Sequence, residues 1–390
     1  MDVRNITTPV YMDYQATTPL DERVLEAMMP FLTDKFGNPH STTHKFGWEA
    51  SDGVEKARVQ VASLIGAEAR EMTFTSGATE SNNLAIKGVG RKYRKYRNHI
   101  ITAVTEHKCV VESVAAMERE GMDVTWLDVK DDGLIDLKEL EAAMTDQTMM
   151  VSIMAVNNEI GVIQPLAEIG RMCRERRILF HTDAAQAVGK IPLDVEAMNI
   201  DLLSISGHKI YGPKGIGALY IRRKSRLQPE PTMSGGGQEN GLRSGTLSPA
   251  LCTGLGQACE LAAGEYEAEL SRTQRLFDRF VDGVRAGLDG VRLNGHREER
   301  WPGNISLSFE GVDADRLVSE MRDLAVSSGA ACASALDEKS YVLEAIGLPE
   351  KLAQATLRFG IGRQTTDMEV DFAIETVIET VSRLREETQG

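Results

Sequence analysis

No two cysteines in this sequence are spaced as a CxxC motif or as a set of zinc ligands. The five cysteines are scattered over 390 residues, at positions 109, 173, 252, 259 and 332. Scattered cysteines are typical of proteins in reducing compartments, whereas small secreted domains use them as disulfide frameworks. We therefore expect a cytoplasmic protein without a disulfide framework.

Signals for export and for membrane insertion are also missing. The N-terminal stretch "MDVRNITTPVYMDY" has no charged start followed by an apolar segment, so it does not predict a secretory signal. No apolar run approaches the roughly 18 residues that a transmembrane helix needs. We expect no membrane partner.

The sequence has fewer basic than acidic residues. Lys and Arg number 44 against 58 Asp and Glu, for a net charge of −14. Nucleic acids and anionic membranes both bind clustered Lys and Arg, so neither is expected as a direct partner. The one basic run, "RKYRKYR" at 91–97, ends a helical pattern, and we interpret it as a solvated helix terminus rather than an RNA site.

Short apolar segments alternate with amphipathic helical segments from about residue 50 to residue 222. This pattern predicts an α/β fold with a mostly parallel, seven-stranded sheet and helices on both faces. The predicted strands are 71–76, 99–104, 124–129, 149–156, 178–183, 201–206 and 217–222. In such sheets the ligand site lies at the carboxyl ends of the strands.

The pattern changes after a glycine-rich loop, "SGGGQENGLRSGT" at 234–246. A long charged helix, "ACELAAGEYEAELSRTQRLFDRFVDGV", follows and is placed to connect to a second domain. Beyond it, "NISLSFEG" and helices ending near residue 386 predict a smaller α+β domain.

Polar residues follow several of the predicted strands. After the first comes "SGATESNN", where the N–H groups of Gly77, Ala78 and Thr79 would form an anion cradle at a helix N-terminus. The alternative is a simple N-cap. His107 in "TEHK" and Asn158 in "NNEIG" follow two further strands, and each could equally have a structural role.

Asp183 and Lys209 make this set chemically specific. Asp183 ends an apolar strand, where a buried carboxylate needs a cation or hydrogen-bond donors, and a metal site formed with His181 lacks a third ligand. Lys209 follows Ser206 and His208 in "SGHKIYGPKG". Pyridoxal phosphate needs a Schiff-base lysine, an acid for its pyridinium nitrogen, a ring to cover it and a phosphate cradle. The combination predicts this cofactor.

The order of motifs resembles the cysteine desulfurases of the NifS/IscS type, which are class V aminotransferase relatives with the aspartate aminotransferase-like fold type I. The matching motifs run from "YMDYQATTP" to near the C-terminus: "SGATESNNLAI", "TEHK", "VNNEIGVIQP", "HTDAAQAVGK", "SGHKIYGPKGIGAL", "GGGQENGLRSGT", "VSSGAACAS" and "LRFGIGR". The resemblance implies a large cofactor-binding domain at 16–262. It also implies a small domain, formed by 1–15 and 263–390, that carries the catalytic cysteine.

The resemblance also implies roles for individual residues. Lys209 binds the cofactor covalently, Asp183 pairs with its ring nitrogen, and His107 stacks on the ring as an acid or base. Gln186 and Asn158 approach the ring hydroxyl, and Asn158 also contacts substrate. The phosphate would be held by Ala78, Thr79, Ser206, His208 and, from the other subunit of a homodimer, Thr246. Arg358 would pair bidentately with the substrate carboxylate.

The implied activity is conversion of L-cysteine to L-alanine, with the sulfur left as a persulfide on Cys332. That sulfur would pass to an iron–sulfur scaffold protein or to another acceptor, for cluster assembly or thiolation. No firm metal site is expected, although a transient role for Cys332 as a cluster ligand stays open. A long, poorly ordered loop near Ser327 to Lys339 would let the thiol travel.

Two other functions stay open: a selenocysteine lyase or related β-lyase, and a non-catalytic scaffold of an iron–sulfur assembly complex. Retention of Lys209, Asp183 and Cys332 argues against the scaffold. The sequence departs from the usual "SSGSACTS" loop by having Ala330 and Ala333 around Cys332, which removes hydroxyl groups near the thiol. The four other cysteines are expected to be packing residues, with a site role left open for Cys109.

Overall fold

The computed structural model describes residues 6–225, 227–328 and 339–389. The helices are α1 (Glu22–Thr33), α2 (Lys45–Leu64), α3 (Ala78–Tyr93), α4 (Lys108–Arg119), α5 (Leu137–Ala143), α6 (Leu166–Arg176), α7 (Pro249–Gly287), α8 (Ala314–Glu320), α9 (Tyr341–Ala345), α10 (Glu350–Gln354) and α11 (Asp367–Gln389). The strands are β1 (Val10–Tyr11), β2 (Met72–Thr75), β3 (His99–Ala103), β4 (Asp123–Leu127), β5 (Thr148–Ser152), β6 (Leu179–Asp183), β7 (Leu202–Ser206), β8 (Gly217–Ile221), β9 (Val291–Leu293), β10 (Asn304–Phe309), β11 (Leu324–Ala325), β12 (Ser327–Ser328) and β13 (Thr356–Gly360).

The seven predicted strands form one sheet in the order β2-β8-β7-β6-β5-β3-β4. Only β8 runs antiparallel to its neighbours, so the prediction of a mostly parallel sheet is confirmed. The strand predicted at 149–156 is shorter in the structure, because its regular pairing with neighbouring strands ends at Ser152. Beyond that point Ile153 and Ala155 still donate N–H bonds to β6 carbonyls, so the chain stays beside β6 up to the site.

Alternate residues of the strands enter different cores, which is the pattern of a sheet covered on both faces. Ile101, Val151 and Leu203 belong to one buried cluster with Val54 of α2 and Ile169 of α6. Their neighbours pack in a second cluster, with α3 and α4. These neighbours are Ile100, Met150 and Leu202. The predicted arrangement of helices on both faces is confirmed.

A separate core surrounds a four-stranded antiparallel sheet in the order β12-β13-β10-β9. Helix α7 spans 39 residues and contributes to both parts of the molecule. Cys252 and Cys259 near its start pack in the large core, and Phe277 and Phe280 pack against the smaller sheet. The helix therefore contributes to both the large core and the core around the smaller sheet.

In the three described ranges, no helix is long and apolar enough to cross a membrane. The basic run at 91–97 does lie where α3 ends. Arg91 pairs there with Glu120, and Arg97 donates to the carbonyls of Thr148 and Arg177. These contacts are those of a helix terminus.

Candidate active site

The site forms where β2, β3, β5, β6 and β7 end, because these strands run in the same direction and finish at one edge of the sheet. Asp183 is the last residue of β6, and Ser206 is the last of β7. Segments from elsewhere in the chain complete the site. They are residues 13–18, the start of α3, the start of α4 and strand β13.

The predicted anion cradle lies at the first turn of α3. Gly77 caps this 16-residue helix with a φ of +148°, a conformation that favours glycine, and no side chain caps the N–H groups that follow it. A Cβ on Gly77 would lie 4.0 Å from the Ser206 hydroxyl. Ala78, Thr79 and Ser206 are thus grouped around one helix N-terminus, where an anion is favoured.

Lys209 ends a short 3-10 turn directly after β7. Its ammonium donates hydrogen bonds to the carbonyls of Gln15 and Ala16, the latter at 2.9 Å. The side-chain amide of Gln186 donates to the same Gln15 carbonyl at 2.9 Å. Gln15 thus brings together two predicted site residues, and it was missed as a site residue because it lies far away in the sequence.

Asp183 is buried and held by two donors. Asn82 donates its Nδ2 to one carboxylate oxygen at 2.7 Å, and the Ala185 N–H donates to the other at 2.9 Å. The two donors fix the orientation of the carboxylate. Asn82 was not predicted, although it lies four residues after Ala78, on the same side of α3.

His107 caps α4, and its Nδ1 accepts the Cys109 N–H at 3.2 Å. The Cys109 sulfur lies 3.0 Å from the same Nδ1 and accepts a bond from Asn82 at 3.1 Å. Ligand-type atoms of His107, Cys109 and Asp183 all lie within 4.8 Å of one another. Cys109 is therefore part of the site wall, whereas Cys173, Cys252 and Cys259 are buried in the core as expected.

His208 lies beside Lys209 and contacts the Thr17 hydroxyl through Nδ1 at 3.1 Å. Burial, reinforced by the nearby Lys209 charge, lowers the pKa of His208 to about 4. The imidazole is therefore neutral at pH 7, and it offers one donor and one acceptor. His181 has a structural position instead, buried between Ser152 and Ser204.

Arg358 lies in β13 at the junction with the smaller sheet and is 2% exposed. Its guanidinium pairs with Asp13 at 2.8 Å and donates to the Asn158 carbonyl at 3.1 Å. Two buried polar atoms here have no hydrogen-bond partner among the described residues: Nε of Arg358 and Oδ1 of Asn158. Asp13 was not predicted as the partner of this arginine.

Two buried carboxyl groups border the site and were also missed. Glu106 accepts the Met154 N–H at 2.7 Å, and burial raises its pKa well above its ordinary value. Glu159 accepts a bond from the Ser340 hydroxyl at 2.5 Å, and burial raises its pKa to about 7.

Two of the predicted site residues take no part in the contacts described above. Thr246 is exposed in the glycine-rich loop, and no described hydrogen bond joins it to the other predicted site residues. Cys332, with most of the loop predicted to be poorly ordered, lies outside the described residues. The edges of that loop differ from the prediction, because Ser327 and Ser328 form β12 and Lys339 pairs with Glu350.

The residues present fit pyridoxal phosphate. Lys209 supplies the amine, Asp183 a carboxylate already fixed by Asn82, and the α3 N-terminus a cradle for phosphate. The Asn158 oxygen and Arg358 Nε, which have no hydrogen-bond partner among the described residues, mark a polar site open to a ligand.

Comparison with known proteins agrees with this geometry. The aminotransferase class-V family model matches residues 10–372. The chain is 56% identical over 384 residues to cysteine desulfurase IscS of Rickettsia conorii (strain ATCC VR-613 / Malish 7), covering 98% of this chain and 94% of that protein.

Two solved structures are similar over nearly the whole chain. A NifS-like protein superposes with a TM-score of 0.89 at 36% identity, covering 96% of this chain and all of that one. SspA in complex with cysteine superposes with a TM-score of 0.81 at 41% identity, covering 91% and 99%. The chain belongs to the class-V aminotransferase family.

Proposed function

We propose that this protein takes sulfur from L-cysteine, using Lys209, Asp183 and Arg358 to hold the reactants and Cys332 to accept the sulfur. It is a pyridoxal phosphate-dependent cysteine desulfurase, as is the relative named above at 56% identity. The observation that carries the proposal is the meeting of Lys209, an Asn82-bound Asp183 and the α3 N-terminus at one sheet edge.

The cofactor, when bound, supplies an electron-withdrawing ring that makes the Cα proton of an amino acid removable. Lys209 would hold the cofactor and take that proton on Nζ, since it is the amine at the strand edge. Asp183 would pair with the ring nitrogen, and its bond from Asn82 fixes the orientation of the carboxylate for that task. His208, neutral at pH 7, would donate to the phosphate at the cradle.

Arg358 would bind the substrate carboxylate. Its guanidinium group already bonds Asp13 and the Asn158 carbonyl, so the plane of the group is fixed before substrate binds. The strand pair β12–β13 places Ser327 opposite Arg358. After the loop, Ser340 bonds Glu159 and Tyr341 bonds the Glu106 carbonyl, so the described residues on either side of Cys332 are held at this site.

The sulfur transfer to Cys332 requires no added oxidant. The Cys332 thiolate attacks the substrate sulfur, an S–S bond forms and the substrate C–S bond breaks, with its electron pair leaving on carbon. Protonation of that carbon, together with return of the Cα proton from Lys209, gives L-alanine, and the enzyme keeps a persulfide. A sulfur acceptor then removes the outer sulfur and regenerates the thiol.

Cys332→Ser tests this assignment against an intact site. The variant should bind pyridoxal phosphate with an unchanged visible absorption band and should lose sulfide release from L-cysteine in the presence of a reductant. The matched control is Cys173→Ser, in a buried helix position of the large core. Full activity of Cys332→Ser would overturn the mechanism, and a colourless wild type would overturn the cofactor.

A homodimer is part of the proposal because Thr246 is exposed in this chain. Six of the twelve exposed large apolar side chains among the described residues lie around α1 and the start of α2, which favours a covered face. They are Leu25, Met29, Leu32, Phe36, Phe46 and Trp48. Light scattering of the purified protein should give twice the chain mass. Leu32→Glu should lower the measured mass. A monomeric wild type would contradict the role proposed for Thr246.

The acceptor is proposed to be an iron–sulfur scaffold protein or a thiolation carrier, in the cytoplasm. The domain boundaries are likewise proposed as 16–262 and 1–15 with 263–390, in agreement with the two cores joined by α7. Co-purification with candidate acceptors, followed by transfer of radiolabelled sulfur from L-cysteine, tests the acceptor. Label that stays on this chain in every mixture would contradict it.

A further inference from the structure

Lys190 is a buried lysine four residues beyond Gln186 in the motif "HTDAAQAVGK". It is 8% exposed, and its Nζ donates to the Gln186 side-chain oxygen at 2.9 Å. Within the described part of the chain, no carboxylate forms an ion pair with it. A lysine without an ionic partner is rarely buried, because removing its charge from water is costly.

The lysine donates in either protonation state. Burial, together with the nearby Lys209 charge, lowers the pKa of Lys190 to about 7. Its ammonium and its neutral amine both have N–H groups, so the contact with Gln186 does not depend on the charge.

Two fixed neighbours determine which way the Gln186 amide points. Lys190 donates to it on one side, so the amide oxygen must face Lys190. On the other side the Gln15 carbonyl can only accept, so the amide NH2 must face Gln15. That same carbonyl accepts the bond from Lys209, which places the NH2 group next to the reactive amine.

The backbone turn that carries Lys190 is closely packed. Gly189 has a φ of +72°, and a Cβ there would lie 2.9 Å from Ala262 of α7 and 3.5 Å from Ile210. Ile210 directly follows Lys209 in the chain. The turn therefore holds Lys190 in a fixed position relative to the reactive lysine.

We propose that Lys190 is a positioning residue that locks the Gln186 amide with its NH2 directed at Lys209 and the bound cofactor. This inference rests on the proposed function and on the contact between Gln186 and the cofactor ring hydroxyl that the sequence resemblance implies. Without the lock, the amide would rotate and present its oxygen to the site for part of the time, and the cofactor would lose a donor.

Lys190→Met removes the donor and keeps the side-chain length. Equilibrium dialysis should show a cofactor dissociation constant about five- to tenfold higher, the size expected for one lost hydrogen bond. The pH at which the cofactor's visible band changes should also rise, because a donor to the ring hydroxyl favours its deprotonated form. Lys224→Met is the control, since Lys224 is exposed and pairs with Glu196 at the surface; it should leave both quantities unchanged.

Gln186 variants separate positioning from packing. In a Gln186→Ala background, Lys190→Met should change the dissociation constant by less than about twofold, because the two residues act as a unit. Gln186→Glu keeps the acceptor for Lys190 and removes the NH2, so it should weaken cofactor binding at least as much as Lys190→Met. This second variant keeps the test decisive if Lys190→Met folds poorly.

The inference is overturned if Lys190→Met binds the cofactor as tightly as wild type, or if its full effect persists in the Gln186→Ala background. In either case a wild type that binds cofactor and releases sulfide leaves the proposed function standing. A wild type that binds no cofactor overturns both.

Discussion

Asn82 Nδ2 lies 2.7 Å from Asp183 Oδ2, although 101 residues separate them in the chain. The amide belongs to the first turns of α3 and the carboxylate to the end of β6, so the bond joins the anion cradle to the proposed partner of the cofactor ring. The same amide nitrogen also donates to Cys109. One side chain thus orients two walls of the site.

Asn82→Asp should weaken cofactor binding about tenfold, because it removes the N–H donor to Asp183 and places a second carboxyl group against it. Titration of the apo-protein with pyridoxal phosphate measures this.

Asn83→Asp is the matched control, since the Asn83 side chain bonds the Thr79 carbonyl on the helix surface rather than Asp183. Its cofactor affinity should stay within about twofold of wild type, a surface-substitution effect. Equal losses in both variants would show that charge near α3, rather than the bond to Asp183, is what matters.

Strand positions could be predicted because each buried strand is a short apolar run with clear breaks, as in "ILFHTD" and "DLLSIS". The residues that follow those runs were predicted for the same reason. Their partners were not, because Gln15, Asp13 and Asn82 reach the site through tertiary contacts that no local pattern encodes. Thr246 differs from these residues, because its proposed role depends on contact with a second chain.

Arg358→Lys should raise the KM for L-cysteine about 10- to 100-fold, with little change in the visible band of the bound cofactor. A lysine has no planar fork, so it cannot keep the bonds to Asp13 and the Asn158 carbonyl while pairing with a carboxylate. Steady-state kinetics and an absorption spectrum test the two halves of this expectation. Arg292→Lys, on an exposed strand position, should change neither; a cofactor band lost in Arg358→Lys would instead assign the arginine to cofactor binding.

Glu159→Gln should change how stability depends on pH. Burial raises the pKa of Glu159 from 4.5 to about 7, so the native state holds a proton that the unfolded state releases. The stabilisation is complete below pH 4.5 and is lost as pH rises through 7. Wild type should therefore lose stability relative to Glu159→Gln between pH 5 and 8, by about 3 kcal/mol.

Urea unfolding at four pH values across that range measures the difference for each protein. Glu106 is buried as well, but it is present in both proteins and cancels in the comparison. Glu118→Gln, at an exposed position on α4, serves as the control. Its free energy of unfolding should change with pH in the same way as that of wild type. A constant gap between wild type and Glu159→Gln at all pH values would contradict the raised pKa.

Glu239→Ala should lower the free energy of unfolding by about 3 to 5 kcal/mol, because it leaves the buried Arg58 guanidinium without its main partner. Glu239 accepts two bonds from Arg58 at 2.8 Å and a third from the Phe74 N–H at 2.6 Å, which fixes the glycine-rich loop against β2. The chain offers a matched control in Glu55, which bonds the same arginine at 3.2 Å with a side chain that is 60% exposed. Glu55→Ala should cost less than about 1 kcal/mol, since solvent screens an exposed pair. Chemical denaturation of both variants decides the matter, and equal losses would mean that burial does not set the strength of the Arg58 contacts.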